Sequence, residues 1–367
     1  MAEPAFVDPH PDILGAGYEA FTAQLPEDSE GAVVATLVRH RSSAASTKAV
    51  LYLHGFSDYF HQVELAEFHA TRGEHLYALD LRKYGRSLLP HQTTARMSDV
   101  SDYYPELEAA VDFMLADGIE QVTVNAHSTG GLIAVLWLHD RLAAGRGLRP
   151  ITSVVLNSPF LDLPAAWAMR TLAPRPFRVI AKNRPLFALP SPGRSFYQLS
   201  IHRSERGEWD FVKEWKPVTG GVVRAEWLTA ALRAIAKAHS GLELPCPILM
   251  MSSALTVRAK EWTDDLYRGD AVLDTEALAR WSTRLGSHVT CLRIEDGMHD
   301  LLLSKPDVRQ RVYFEMARWM DTYSFPASHD DTVPDPGEPH PLVGSAGTAQ
   351  IVGSAGTAQT PAGGEIG

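Results

Sequence analysis

Residues 121–137 read QVTVNAHSTGGLIAVLW, and few folds can absorb that stretch. Residues 122–125 alternate β-branched and polar side chains as a strand does, and 131–136 are apolar at almost every position, as a fully buried helix requires. Between them stand small residues and one histidine, Ala126-His127-Ser128-Thr129-Gly130. A strand and a helix joined so closely must turn sharply, and Ser128 sits at the tip of the turn. A serine hydroxyl is a weak nucleophile until a neighbouring base takes its proton and N–H donors face the developing oxyanion. A strained turn exposes the hydroxyl, and the first turn of the helix offers uncommitted amides. Ser128 is therefore a candidate nucleophile, against the plainer reading of a serine in an ordinary strand–helix loop.

The chain on either side repeats the strand–helix theme. Residues 18–25 and 32–40 read as an antiparallel hairpin across the turn-rich PEDSEG. The buried strand 49–53 ends in His54-Gly55-Phe56, and the strand 74–81 ends in Asp80-Leu81-Arg82-Lys83-Tyr84-Gly85-Arg86-Ser87. Leu107, Ala110, Val111, Met114 and Leu115 recur at helical spacing, so 102–116 is an amphipathic helix stopped by Gly118. A strand at 153–156 follows the 121–137 unit. Strands alternating with crossover helices predict an α/β fold, a mostly parallel sheet covered on both faces. Residues 160–240 break the alternation and are rich in proline and aromatic side chains, including Trp167, Phe211, Trp215 and Trp227. They carry 13 Lys and Arg against 6 Asp and Glu inside a chain of net charge −10. Scattered surface charge and a functional basic patch are equally good readings of that excess. The alternation resumes with a strand at 247–251, a helix at 275–285, a strand at 288–294 and a helix at 307–323.

Bulk properties exclude several partners. A net charge of −10 argues against a nucleic-acid ligand, which needs clustered cations on a basic background. Cys246 and Cys291 both lie in apolar runs and read as small buried hydrophobes, not as a disulfide. Residues 1–17 are a Pro-rich lead-in without the basic start and apolar core of a signal peptide, and no run is long enough to span a bilayer. The chain reads as cytoplasmic, with at most transient contact with a membrane surface. Residues 327–367 contain VGSAGTAQ twice and no Lys or Arg, a composition that predicts a disordered tail.

With its first glycine replaced by Ala126, A-x-S-x-G resembles the nucleophile elbow of the α/β-hydrolase family. The HG-x turn at His54 and D-x-R-x-x-G-x-S at Asp80 are further signatures of that family, and they stand in its order. The resemblance covers about residues 18–323, and is nearest to the branch of monoacylglycerol lipases, lysophospholipases and serine aminopeptidase-like hydrolases. It implies a core of 18–159 and 241–326 with 160–240 inserted as a cap. It also implies an oxyanion hole from the backbone N–H groups of Phe56 and Thr129. His54 and Asp80 read as structural, and neither a cofactor nor a metal is implied.

The family order of nucleophile, acid and histidine makes His299, in the Gly-x-His turn after the last strand, the general base. Ser252-Ser253-Ala254-Leu255-Thr256 offers no carboxylate where many relatives carry the acid. Asp270, in D-x-V-x-D, is similar to the family's acid loop, with 254–269 as an insertion that lengthens the chain without moving the loop in space. Asp274 is a rival better suited to a helix N-cap, and Asp162 after the preceding strand is a second. The expected activity is hydrolysis of a lipid-like carboxylic ester, monoacylglycerol or lysophospholipid in type, by Ser128, His299 and Asp270. A peptidase and a non-catalytic binding protein on the same scaffold are the alternatives.

Overall fold

The computed structural model of the protein describes residues 4–163, 174–190 and 195–325. The repetitive stretch 327–367 and parts of 160–240 lie outside the described residues. An antiparallel edge is made by β1 (Phe6–Pro11), β2 (Tyr18–Asp28) and β3 (Gly31–His40). Then come β4 (Lys48–Leu53), α1 (Val63–Thr71), β5 (His75–Asp80), α2 (Tyr104–Ala116), β6 (Gln121–His127), α3 (Thr129–Ala143) and β7 (Ile151–Asn157). Helices α4 (Pro174–Asn183), α5 (Phe196–Ile201) and α6 (Ala225–His239) intervene before β8 (Ile248–Ser253), α7 (Thr275–Ser282), β9 (Val289–Ile294) and α8 (Pro306–Tyr323). The strands lie in the order β1-β2-β3-β5-β4-β6-β7-β8-β9, and every pair from β5 to β9 is parallel.

Period-two alternation along these strands decides which side chain faces which helical layer. Leu51, Leu53, Val122 and Val124 point toward α2, α3 and α6, whereas Val50, Tyr52, Val155 and Leu249 point toward α1 and α8. Each central strand is buried on both faces, which is why its sequence is an apolar run and not a clean alternation. Helix α3 is buried from Thr129 to Leu138 for the same reason, packed between sheet and helices.

Three expectations need correction. The lead-in 1–17 contributes β1, whose Pro9 and Pro11 are tolerated because the strand is at the sheet edge, where a missing N–H breaks no ladder. Helix α6 lies within 160–240 yet packs into the core layer through Trp227, Ala231 and Ile235, so the core is re-entered at Ala225, before residue 241. Cys291 is exposed, because β9 is the other edge strand and turns that position outward; Cys246 is buried, and both are free.

The D-x-R-x-x-G-x-S stretch fastens the loop after β5. Asp80 accepts from the Phe60 and Arg86 amides at 2.9 and 3.0 Å and from Arg86 Nη1 at 2.8 Å, and Arg86 also grips Asp12. A Cβ on Gly85, whose φ is 46°, would lie 2.5 Å from Asp80 Oδ2. Arg82 forms a fork with Glu106 of α2, at 2.9 Å from Nε and 2.6 Å from Nη2, and Glu106 is wholly buried. Removing one partner of a buried pair strands the other charge. Arg82→Met is expected to lower unfolding free energy by about 3–5 kcal/mol, and Arg82→Met/Glu106→Leu to regain most of it, as measured by urea titration.

Candidate active site

Strand β6 ends at His127, and the chain enters α3 through Ser128 with φ 51° and ψ −117°. A residue bearing a side chain in that region carries roughly 1–3 kcal/mol of strain, so its surroundings must hold it. They do. The Ser128 amide donates to Asn157 O at 3.0 Å, and its carbonyl accepts from the Gly131 and Phe160 amides at 3.0 and 2.8 Å. Close approach sets the glycines: a Cβ on Gly130 would fall 2.4 Å from His54 O, and one on Gly131 would fall 2.8 Å from Pro159 Cβ. Ala126 stands within β6 opposite Leu53 and Leu156, and its methyl group is buried in the core. The departure from glycine at this position therefore meets no steric objection.

His299 brings its Nε2 to 3.1 Å from Ser128 Oγ, and its Nδ1 lies 2.9 Å from Asp270 Oδ2. The carboxylate can only accept, so Nδ1 carries the proton and Nε2 presents its lone pair to the serine. Asp270 is fully buried, and its other oxygen accepts from the Val272 and Leu273 amides, both at 2.7 Å. Its position follows from the path of the chain after β8. The Asp270 amide donates to Leu255 O and its carbonyl accepts from the Val257 amide, each at 2.8 Å, so residues 258–269 depart and return to the strand end they left. Asp274 caps α7, accepting from the Glu276 and Ala277 amides. Asp162 accepts from the Leu163 amide at 2.8 Å. Of these three carboxylates, Asp270 is the one bonded to His299.

On the opposite side of the serine, the 54–59 turn presses against the elbow. A Cβ on Gly55 would lie 3.0 Å from His127 Nδ1 and 3.2 Å from Ser128 Cβ, which makes glycine the residue that lets the turn approach. His54 braces the turn, with Nδ1 donating to Gly55 O at 2.8 Å and Nε2 accepting from the Leu81 amide at 3.0 Å. The Phe56 and Thr129 amides hold no hydrogen bond among the described residues, and both are at this junction. The Phe56 ring stacks at a tilt on Trp227 of α6, 4.4 Å between centroids, and Tyr197 of α5 meets His299 edge-on at 5.3 Å.

Sequence reasoning missed a buried polar network behind the histidine. Asp300 accepts from Asn157 Nδ2 at 2.7 Å, from the Leu302 amide at 3.0 Å and from Gln62 Nε2 at 3.2 Å, while Asn157 Oδ1 accepts from the Leu301 amide. Asp58, His61 and His127 lie beside it, with Lys216 reaching in from the 160–240 segment. The sequence signals were faint: an acid directly after His299, and an asparagine at the end of β7. Asp58, His127 and Asp300 offer ligand atoms within 4.8 Å of one another, but Lys216 Nζ is 2.7 Å from Asp58 Oδ1. The ammonium already supplies the cation there, and the residues do not fit a metal. Burial of the Asp58 carboxyl alone would raise its pKa; Lys216 and His61 outweigh that and hold it below the usual range. Burial, with smaller contributions from His299 and Lys216, pushes His127 down from 6.5 to about 4 against the pull of Asp300 and Asp58.

Residues 50–309 match the sequence profile of the alpha/beta hydrolase family. The chain belongs to that family. Solved structures of the same fold include a soluble variant of monoglyceride lipase from Saccharomyces cerevisiae, 14% identical over 83% of this chain and 95% of that one, with a TM-score of 0.59. The monoacylglycerol lipase of Paleococcus ferrophilus is 18% identical over 77% of this chain and 98% of its own, with a TM-score of 0.56. A lipase in an open form is 15% identical over 81% and 97%, with a TM-score of 0.55. No curated protein sequence matches the chain. Among the described residues no helix is long and apolar enough to cross a membrane.

Two outcomes follow from this geometry. Asp274→Ala should cost about 1 kcal/mol of stability and leave the Ser128–His299 contact intact, because its carboxylate caps α7 and pairs with Arg258 and touches neither residue of that contact. Chemical denaturation beside the activity assay described below checks both parts. The lowered pKa of His127 means that folding favours its neutral form. Its contribution to stability is complete above pH 6.5 and is lost as the pH falls toward about 4. His61 and His69, lowered by burial, act in the same direction. The melting temperature should therefore fall between about pH 7 and pH 5, and His127→Asn should fall less steeply over that window.

Proposed function

We propose that the protein is a serine hydrolase that cleaves carboxylic esters through an acyl-enzyme on Ser128. The observation that carries this reading is the unbroken line of contacts from Ser128 Oγ through His299 to Asp270. His299 Nε2 takes the hydroxyl proton as Ser128 Oγ attacks the carbonyl carbon, and the resulting imidazolium is held by Asp270. The oxyanion forms between the Phe56 and Thr129 amides, which are at the turn and at the helix start nearest the serine. His299 then returns the proton to the departing alkoxide; in the second half-reaction it deprotonates a water that attacks the acyl carbon, and it gives that proton to Ser128 Oγ as the acyl–Oγ bond breaks and the acid leaves. Thr129 also opens α3, whose dipole favours negative charge at that end.

The substrate is lipid-like in this reading, of the monoacylglycerol or lysophospholipid class. Aromatic side chains support it: Phe56, Phe160 and Trp227 pack against one another beside the elbow, and Tyr197 packs against the base. The segment from residue 160 up to the start of α6 then acts as the cap, and its described part exposes Leu186, Phe187 and Val222 next to Arg184 and Arg224. That surface fits brief contact with an apolar, anionic phase. The basic excess of residues 160–240 is partly internal, since Lys216, Lys237 and Arg233 pair with Asp58, Asp140 and Asp99.

A fluorophosphonate probe and a panel of p-nitrophenyl esters test the reading. Ser128→Ala is expected to lose labelling and to lower kcat by about 10⁴-fold or more, and Asp270→Asn to lower kcat by about 10³–10⁴-fold with little change in KM. Medium and long acyl chains should give the higher kcat/KM. Labelling of Ser128→Ala, or a clear preference for aminoacyl anilides over esters, would overturn the assignment.

A further inference from the structure

Lys216 is 1% exposed, yet no acid in its own sequence neighbourhood explains its burial; its partner is Asp58, far away on the turn beside the serine. Its Nζ donates to Asp58 Oδ1 at 2.7 Å, reaches His61 Nε2 at 3.2 Å and lies over the Phe211 ring at 5.4 Å. Asp58 follows Phe56 by two positions, and its Oδ1 also accepts from the Tyr59 amide at 2.9 Å. The turn between them is strained at Ser57, with φ 51°. Two more contacts from the same segment grip it. The Val212 amide donates to Tyr59 Oη at 2.8 Å, and Gly221 packs so closely that a Cβ there would lie 2.5 Å from Ser57 Cβ. The elbow bears on the turn from within, through Gly55, and residues 212–221 bear on it from outside.

We propose that Lys216 is a positioning residue. Acting through Asp58, it keeps the 55–59 turn seated on the elbow and the Phe56 N–H aimed at the oxyanion. The proposal rests on the serine-hydrolase reading and assigns part of the oxyanion geometry to the 160–240 segment. The physical reason is the local charge balance. Asp58 and Asp300 flank His127 in a space closed to water, and Lys216 is the cation bonded there. Without it, Asp58 must take up a proton or draw in water, and either change removes the bond that fixes the turn. A donor displaced by a fraction of an ångström stabilises the ground-state carbonyl nearly as before but the oxyanion less well, so kcat falls and KM holds.

Lys216→Met, Asp58→Asn and Lys216→Met/Asp58→Asn are compared with the wild-type protein on p-nitrophenyl butyrate, well below the melting temperature of each. Each single substitution is expected to lower kcat by about ten-fold or more with KM within about three-fold, and the double variant to be no slower than the slower single, because both act on one bond. Lys216→Arg, which keeps the charge, should recover part of the loss. A Lys216→Met protein that melts lower yet turns over at the wild-type rate would show a purely structural role and overturn the proposal. Should Lys216→Met not fold, Asp58→Asn carries the same comparison, since it keeps the shape and one acceptor oxygen; unchanged kcat there has the same meaning. Turnover abolished by Ser128→Ala but untouched by these variants overturns the positioning role alone. Turnover untouched by Ser128→Ala overturns the serine reading and this one with it.

Discussion

Ser128 is held at φ 51° between β6, buried from Val122 onward, and α3, buried from Thr129 to Leu138, and much of the local sequence is the answer to that one constraint. A strained residue relaxes unless everything around it resists, and here β6 and α3 are fixed by the core on either side. Gly130 and Gly131 allow α3 to approach the end of β4 and Pro159, while Gly55 allows the 54–59 turn to touch the elbow. Asn157 serves twice, its carbonyl accepting the Ser128 amide and its side chain bonding Asp300 and the Leu301 amide. A single asparagine thus ties the turn that carries the serine to the loop that carries the histidine.

The sheet explains why residues so distant in sequence meet. The strand order reverses between β4 and β6: the chain runs from β4 outward to β5, then returns past β4 to β6 and continues the other way. Loops leaving the carboxyl ends of β4 and β6 on either side of such a switch point leave a crevice between them, where α/β sheets place their ligands. The 54–59 turn comes from β4 and Ser128 from β6, while Asp270 and His299 arrive from the same ends of β8 and β9. Parallel strands are the reason: every strand from β5 to β9 delivers its following loop to one edge.

Much of this was legible because periodicity is a local property. The hairpin of β2 and β3, the buried strands, α2 and the strand–turn–helix at Ser128 follow from spacing within a few residues. Even the path to Asp270 was legible as a loop that leaves and returns, since 29 positions to His299 hold one helix and one strand. The structure shows how the return is enforced, by a bridge between Thr256 and Asp270. What escaped the sequence depends on contacts with no local period. β1 hides behind its prolines, which an edge position excuses. Helix α6 reads as part of an insertion because its apolar face finds α3 and not a neighbour in sequence. The network of Asp58, His127, Lys216 and Asp300 joins side chains up to 242 positions apart, and no spacing rule could assemble it.

That network also bears on the proposed chemistry. His127 is next to Ser128 in the chain, and its ring centre is 5.0 Å from that of His299. When His299 accepts the serine proton, it becomes an imidazolium. A second imidazolium at that distance would oppose it by about 3 kcal/mol at an effective dielectric constant of about 20, more than a hundred-fold in rate. Two carboxylates, Asp58 and Asp300, draw a proton toward His127, so its neutrality is not guaranteed by its own chemistry. Burial decides the matter, with smaller contributions from His299 and the ammonium of Lys216, and pushes its pKa to about 4. At neutral pH His127 is therefore uncharged, and in the proposed reaction it does not oppose the charge that His299 takes up.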